Sequence, residues 1–284
     1  MSYRIGQDEQ ADAAVRRIAS EQLEQAKGQL LSSDIRTGVH EARKRIKKVR
    51  ALLRLVRDEL GERYARENER LRDAARAVAP LRDASAVLES LKLLDDGDER
   101  RALADRLDAE RRELEQSADA EDAVAQCLSL LNESEASIAS WRFAAALPPS
   151  GWKAIYKRAR KRLGEAEEKP TAVRLHEWRK RVKDHRYHCD LLRDAWRGPL
   201  EERESQTHDL TDMLGEHHDL LVLTETAERL GVESKRAWKR IQKRQTALEE
   251  QALSLGAKLF AEKPKRIDRR VKDYWAAASS GPSR

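Results

Sequence analysis

Cysteine, glycine, proline and aromatic residues are all scarce in this chain, and each scarcity excludes something. The two cysteines, Cys127 and Cys189, lie far apart in the sequence. They build no disulfide framework, show no zinc-type spacing, and read as free buried thiols in a reducing compartment. Twelve glycines and seven prolines in 284 residues are too few to punctuate many short strands. Aromatic residues make up 5% of the chain, which leaves little for a surface that stacks bases. No apolar run approaches the ~18 residues of a membrane span. The opening segment has no apolar core of a secretory signal, so a cytoplasmic protein is expected. There is no Gly-rich phosphate loop, no Gly-x-Ser-x-Gly elbow and no recognisable acid/base pair.

What the chain does have is charge and helical periodicity. Asp, Glu, Lys and Arg make up 38% of it, with 57 basic residues against 51 acidic ones and a net charge of +6. Apolar residues recur every three to four positions over most of the length, the pattern of long amphipathic helices. Helices are predicted near 8–31, 35–60, 63–78, 80–94, 98–115, 120–143, 151–166, 171–197, 200–214, 216–230, 232–255 and 256–276. The clearest break is Ala144 to Gly151, where Pro148, Pro149 and Gly151 stop one helix and start another. The stretch from Ala276 to Arg284 is small and polar and reads as a frayed tail.

Two segments are nearly the same motif. Val39-His40-Glu41-Ala42-Arg43-Lys44-Arg45-Ile46-Lys47-Lys48-Val49-Arg50 recurs as Leu175-His176-Glu177-Trp178-Arg179-Lys180-Arg181-Val182-Lys183-Asp184-His185-Arg186. His40 and His176 are 136 positions apart, and the same offset separates Asp83 from Asp219. An offset held over about 45 residues implies an internal duplication. On a helical projection Val39, Ala42, Ile46, Val49, Leu53, Val56 and Leu60 form one apolar seam. His40, Arg43, Lys47, Arg50, Arg54 and Arg57 form a row beside it. The second copy repeats this with the seam Leu175, Trp178, Val182, His185, Cys189, Leu192 and Trp196. Its row is His176, Arg179, Lys183 and Arg186, then Asp190, which interrupts it, and Arg193. From Arg43 to Arg57 there are eight basic residues and no acid. Cations packed this closely repel one another, and a bound polyanion relieves the repulsion. The alternative is a solvated face paired with acids of a neighbouring helix, for which Glu67, Glu69 and Asp73 are candidates. Lys157 and Arg160, and Lys239 and Arg240, lie on two further basic helix faces that are candidates to join the site.

The doubled His-x-x-Arg-Lys-x-x-Lys-x-x-Arg pattern resembles the CHAD family, the conserved histidine α-helical domain. In this sequence it reads His40, Arg43, Lys44, Lys47, Arg50 and His176, Arg179, Lys180, Lys183, Arg186. Arg82-Asp83 with Val87, and Tyr3-Arg4-Ile5 before the first helix, support it. The resemblance implies an all-α fold of two pseudo-symmetric four-helix bundles, spanning residues 3–260 as halves 3–143 and 151–260. A C-terminal helix and flexible tail would occupy 261–284. It also implies non-enzymatic binding of inorganic polyphosphate in a basic groove or channel, and association with polyphosphate granules. No catalytic residue, metal or cofactor is expected. The chain departs from the pattern at His218, Asp184 and Asp190, which stand opposite Arg82, Lys48 and Arg54.

Two other readings compete. His217-His218-Asp219 is the kind of pair that metal-dependent phosphohydrolases of the His-Asp type use, with His185, His188, Cys189 and His208 as further donors. The alignment of Asp219 with Asp83 favours a structural aspartate instead, and His185 falls on the buried seam. Nucleic-acid phosphates also suit the stripe, so weak non-specific binding at low salt is expected. Glu165-Ala166-Glu167-Glu168-Lys169 matches the Glu-x-Glu-x-Lys signature of a triphosphate-hydrolysing module. That motif needs a strand, and here it ends a helix.

Overall fold

The computed structural model describes residues 3–91, 97–232 and 235–279, without the side chains of 83–86 and 98–99. Twelve α-helices and no strand occur among the described residues. They are α1 (Ala11–Leu30), α2 (Ile35–Leu55), α3 (Arg57–Leu60), α4 (Glu62–Ala77), α5 (Ala79–Ser90) and α6 (Asp98–Glu115). The rest are α7 (Ala118–Ala139), α8 (Gly151–Glu168), α9 (Ala172–Leu191), α10 (Arg197–Arg229), α11 (Lys235–Leu259) and α12 (Pro264–Ser279).

The two motif helices are fixed at their heads by caps. The Asp34 carboxylate accepts hydrogen bonds from the amides of Arg36 and Thr37 at 3.1 and 3.2 Å, which starts α2 where the sequence places it. Thr171 Oγ1 accepts from the Arg174 amide at 3.3 Å and starts α9. All seven seam residues of the first motif are buried, from Val39 to Leu60. Burial of such aliphatic side chains contributes on the order of 2 kcal/mol each, so the seam fixes the rotation of α2 about its axis. The second seam is buried from Leu175 to Leu192, with His185 fully enclosed.

α1 packs on α2 and α7, and α4 packs on the same two helices. α8 packs on α9 and α11, as does α10. α2 and α9 touch each other, so the two motif helices meet where the two sets join. A separate apolar cluster forms where α5 and α6 lie against α10 and α11. It contains Val87, Leu103, Leu107, Leu220, Leu223, Ala227, Ile241 and Leu248.

Several expected boundaries move. The helix read as 171–197 ends at Leu191, followed by a 3-10 turn at Arg193–Ala195. Trp196 therefore leaves the seam. It is half exposed and stands edge-on to Tyr274, ring centres 4.4 Å apart. The helix read as 35–60 breaks at Val56 into α2 and α3. The segments read as 200–214 and 216–230 are one 33-residue helix, α10, which passes straight through Gly215. The last helix begins at Pro264, whose ring suits the first turn, and runs to Ser279. The expected fraying at Ala276 does not occur, and residues 280–284 lie outside the described residues. Trp178 packs so tightly on α11 that a Cβ at Gly256 would stand 2.4 Å from its ring. Glu165, Glu167 and Glu168 lie on the last turn of α8. Among the described residues no helix is long and apolar enough to cross a membrane.

Candidate functional site: two basic helix rows brought together

The rotation set by the two seams brings the two basic rows to a common space. The cations of the two helices crowd one another electrostatically. Burial lowers the Lys47 ammonium to about 7, and Lys183, Arg43, Arg179 and Arg82 push in the same direction. Burial lowers Lys183 to about 8, helped by Arg179, Arg186 and Lys44, while the carboxylate of Asp212 opposes. Each lysine thus feels cations from the other motif. Lys47 is nonetheless exposed to water. Neither Lys47 nor Lys183 has a hydrogen-bond or ion-pair partner among the described residues.

The arginines beside these lysines each donate to an uncharged oxygen. Arg43 donates to the carbonyl of Ala75 on α4. Arg179 Nε donates to the carbonyl of Thr211 on α10 at 3.1 Å. Gly215 makes room for this, because a Cβ there would stand 2.8 Å from Arg179 Nη2. Arg50 Nε donates to Asn68 Oδ1 at 3.1 Å, and Arg54 reaches the same oxygen at 3.4 Å. Burial, with help from Arg54, lowers Arg50 to about 10. At Arg50 and Arg179 such a neutral acceptor orients the guanidinium without cancelling its charge, so it stays available to a second, anionic acceptor.

The histidines sit in the amino-terminal halves of the two helices. His40 is exposed, and its pKa is lowered by burial and by the charge of Arg82. His176 lies against His218 of α10, ring centres 4.5 Å apart, and its pKa is lowered by burial and then by His218. Lys44 and Lys180 are exposed beside them. Lys44 pairs with Glu41 at 3.2 Å and Lys180 with Glu177, one helical turn away on the same helix. The anticipated carboxylates do not reach the first row. Glu67 pairs with Arg70, Glu69 with Arg72, and Asp73 with Arg72 and Arg76.

The far end of both rows is different. Asp184 on α9 bridges Arg54 of α2 at 3.4 Å and Arg181 at 2.8 Å. Arg186 is paired with Glu204 of α10 at 2.5 Å. Asp190 is paired with Arg193. Arg54 and Arg186, two of the candidate polyphosphate contacts, therefore belong to inter-helix ion pairs. The remaining candidates lie apart from the lysine pair. Arg160 donates to the carbonyl of Glu262, at 2.9 Å, in the turn before α12. Lys157, Lys239 and Arg240 are exposed on α8 and α11.

Three contributors escape a reading of the motif alone. Arg82 of α5 projects its charge onto both His40 and Lys47, and pairs with Glu89 at 3.3 Å. His218 stacks on His176, and Gly215 seats Arg179. The 136-residue offset aligns Arg82 with His218, which was the available signal for both. The side chain of Asp83 lies outside the described residues. Asp219 is raised by burial against the opposing pull of Arg179, His218 and Arg82. His217 is buried, while His218 turns to His176; the two rings diverge by about 100° around α10. Among the described residues no group of three or more His, Cys, Asp or Glu side chains is placed to hold a metal ion.

An all-helical protein in which two basic, histidine-bearing helices pack against each other is the class that this geometry defines. The CHAD domain family profile matches residues 13–228, so the chain belongs to the CHAD domain family, which is associated with polyphosphate binding. A crystal structure of the CHAD domain from the plant Ricinus communis superposes with a TM-score of 0.60 at 15% identity, covering 92% of this chain and 94% of that one. At that identity the likeness is one of fold. No curated protein matches the chain.

Proposed function

We propose that the groove binds inorganic polyphosphate, and that the protein acts as a binder without a catalytic step. The single observation behind this reading is the pair Lys47 and Lys183. Two ammonium groups from two helices face one space, crowded by cations and without a partner among the described residues. A fold pays for such an arrangement with repulsion, and a bound polyanion repays it. Arg43 and Arg179 would grip phosphate oxygens, with Lys47 and Lys183 as point charges between them. His40 and His176 would donate hydrogen bonds at one end of the groove. Lys44, Lys180 and Arg50 would extend the grip at the rim. Arg54 and Arg186 would contribute less, because Asp184 and Glu204 already neutralise them.

In this reading the two sets of four packed helices are copies of one ancestral unit, with α1, α2 and α4–α5 corresponding to α8, α9 and α10. Pro80 explains why the first copy is broken where α10 is continuous, since proline supplies no amide for an unbroken helix. Residues 3–260 would form one domain. Association with polyphosphate granules would follow from the binding.

The test is a titration of polyphosphate into the wild type and a Lys47→Gln/Lys183→Gln variant at several salt concentrations. The variant should bind about tenfold or more weakly and show a shallower salt dependence. Equal affinity and equal slope would refute the site. Competition with duplex DNA near physiological salt separates polyphosphate from general phosphate binding, and DNA should be displaced.

A further inference from the structure

We propose that the cleft between α8, α10 and α12 is a second ligand site, and that it takes small apolar monocarboxylates. The cleft holds about 280 Å3 and is lined by Trp152 of α8, by side chains near the start of α10, and by one face of α12. It shares no lining residue with the two basic rows, so the inference stands apart from the polyphosphate reading.

Two donors that line this cleft lack a matching partner. Trp152 is fully buried, and its indole Nε1–H has no acceptor among the described residues. A buried donor left unpaired is costly, and it calls for a group that supplies the acceptor. Arg203, half-buried, is the second donor. Its Nε donates to His185 Nε2 at 2.9 Å and its Nη2 to the carbonyl of Leu259 at 2.6 Å. Its guanidinium also stands 5.4 Å from the centre of the Tyr156 ring. These uncharged neighbours hold the fork in place without cancelling its charge. No carboxylate pairs with Arg203 among the described residues, and its Nη1 is uncommitted. Both donors adjoin the same ring: Trp152 packs on His185 with ring centres 4.7 Å apart, and Arg203 hydrogen-bonds to it. One small ligand can therefore meet both. The other charges at the cleft are already engaged, Arg270 with Glu262 and Glu202 with Gln206, the latter at 2.6 Å.

A carboxylate has two oxygens to share between a guanidinium and an N–H. The remaining walls, Pro199, Leu200, Ile267, Val271 and Tyr274, suit a hydrocarbon body. The volume lies just below the ~300–1,000 Å3 of sites for drug-sized molecules, so that body must be small. Phosphate fits less well. The apolar walls would leave its further oxygens unpaired, and Glu202 opposes a second negative charge.

The test titrates phenylacetate into the full chain by calorimetry, with phenylacetamide and inorganic phosphate as comparison probes. Phenylacetate should bind with a Kd of about 1 mM. Phenylacetamide, which keeps the ring and loses the charge, should bind about tenfold more weakly. Trp152→Phe keeps an aromatic ring and removes the N–H, and should weaken phenylacetate binding about threefold or more while the protein still melts cooperatively. Saturating polyphosphate should leave phenylacetate binding unchanged. No binding of phenylacetate up to about 20 mM would overturn the proposal. So would equal binding of acid and amide, or tighter binding of phosphate than of phenylacetate. Displacement by polyphosphate, or full affinity in folded Trp152→Phe, would place the carboxylate elsewhere and overturn the site.

Discussion

Polyphosphate affinity should fall steeply with rising pH, because the two central ammonium groups are easily deprotonated in the free protein. In the complex the phosphate charges restore them to the ordinary lysine range. Binding at high pH must therefore first protonate Lys47, from about 7, and Lys183, from about 8. At pH 9 this costs about 2.7 kcal/mol for Lys47 and about 1.4 kcal/mol for Lys183 at face value. Lys47 is exposed to water, and screening reduces its share. A total of roughly 2 kcal/mol is the reasonable expectation, a loss of 10- to 100-fold between pH 6 and pH 9. Calorimetry at pH 8 in two buffers of different ionisation enthalpy should detect uptake of roughly one proton per groove. A Lys47→Arg/Lys183→Arg variant should lose most of this dependence, since guanidinium stays charged. A flat wild-type affinity from pH 6 to 9 with no proton uptake would refute the electrostatic picture. The free fold should show the opposite sign. The lysine pKa values are lower folded than unfolded, so their repulsive cost is full below about pH 7 and is relieved as pH rises towards ~10.5.

Further outcomes follow from single contacts. Gly215→Ala should leave thermal stability unchanged or slightly raised, by up to about 1 kcal/mol. It should weaken polyphosphate binding several-fold, because the new Cβ displaces the Arg179 guanidinium; unchanged binding would mean that the seat of Arg179 is unimportant. Gly256→Ala should cost about 1–3 kcal/mol in denaturant unfolding, since the rigid Trp178 ring cannot yield. Glu204→Gln should free Arg186 and raise polyphosphate affinity a few-fold in the same titration. Asp184→Asn should destabilise the fold by about 3 kcal/mol, as it strips Arg54 and Arg181 of their shared, largely buried carboxylate.

Much of the molecule was legible from residue order. Helical periodicity located the elements, and both motif helices start within a residue of the expected position, although they end five and six residues earlier than expected. Each seam determined which side of its helix is buried, and therefore where the adjacent cations emerge. That argument is local, because a row beside a buried stripe must surface next to it. It failed at Trp196, where α9 has already ended, and at Gly215, which was read as a break although α10 continues through it.

Partner choice was decided only in three dimensions. The sequence supplied Glu67, Glu69 and Asp73 as acids near the first row, yet they pair within their own helix while Asn68 faces Arg50. Asp184 and Glu204 silence Arg54 and Arg186 because the packing of α9 on α2 and α10 points them inward. Arg82 and His218 reach the two motif helices from α5 and α10. The linear pattern fixes charge and facing, because both are properties of a single helix. Whether a given cation is cancelled or left open depends on the neighbour's rotation and distance, which no single helix contains.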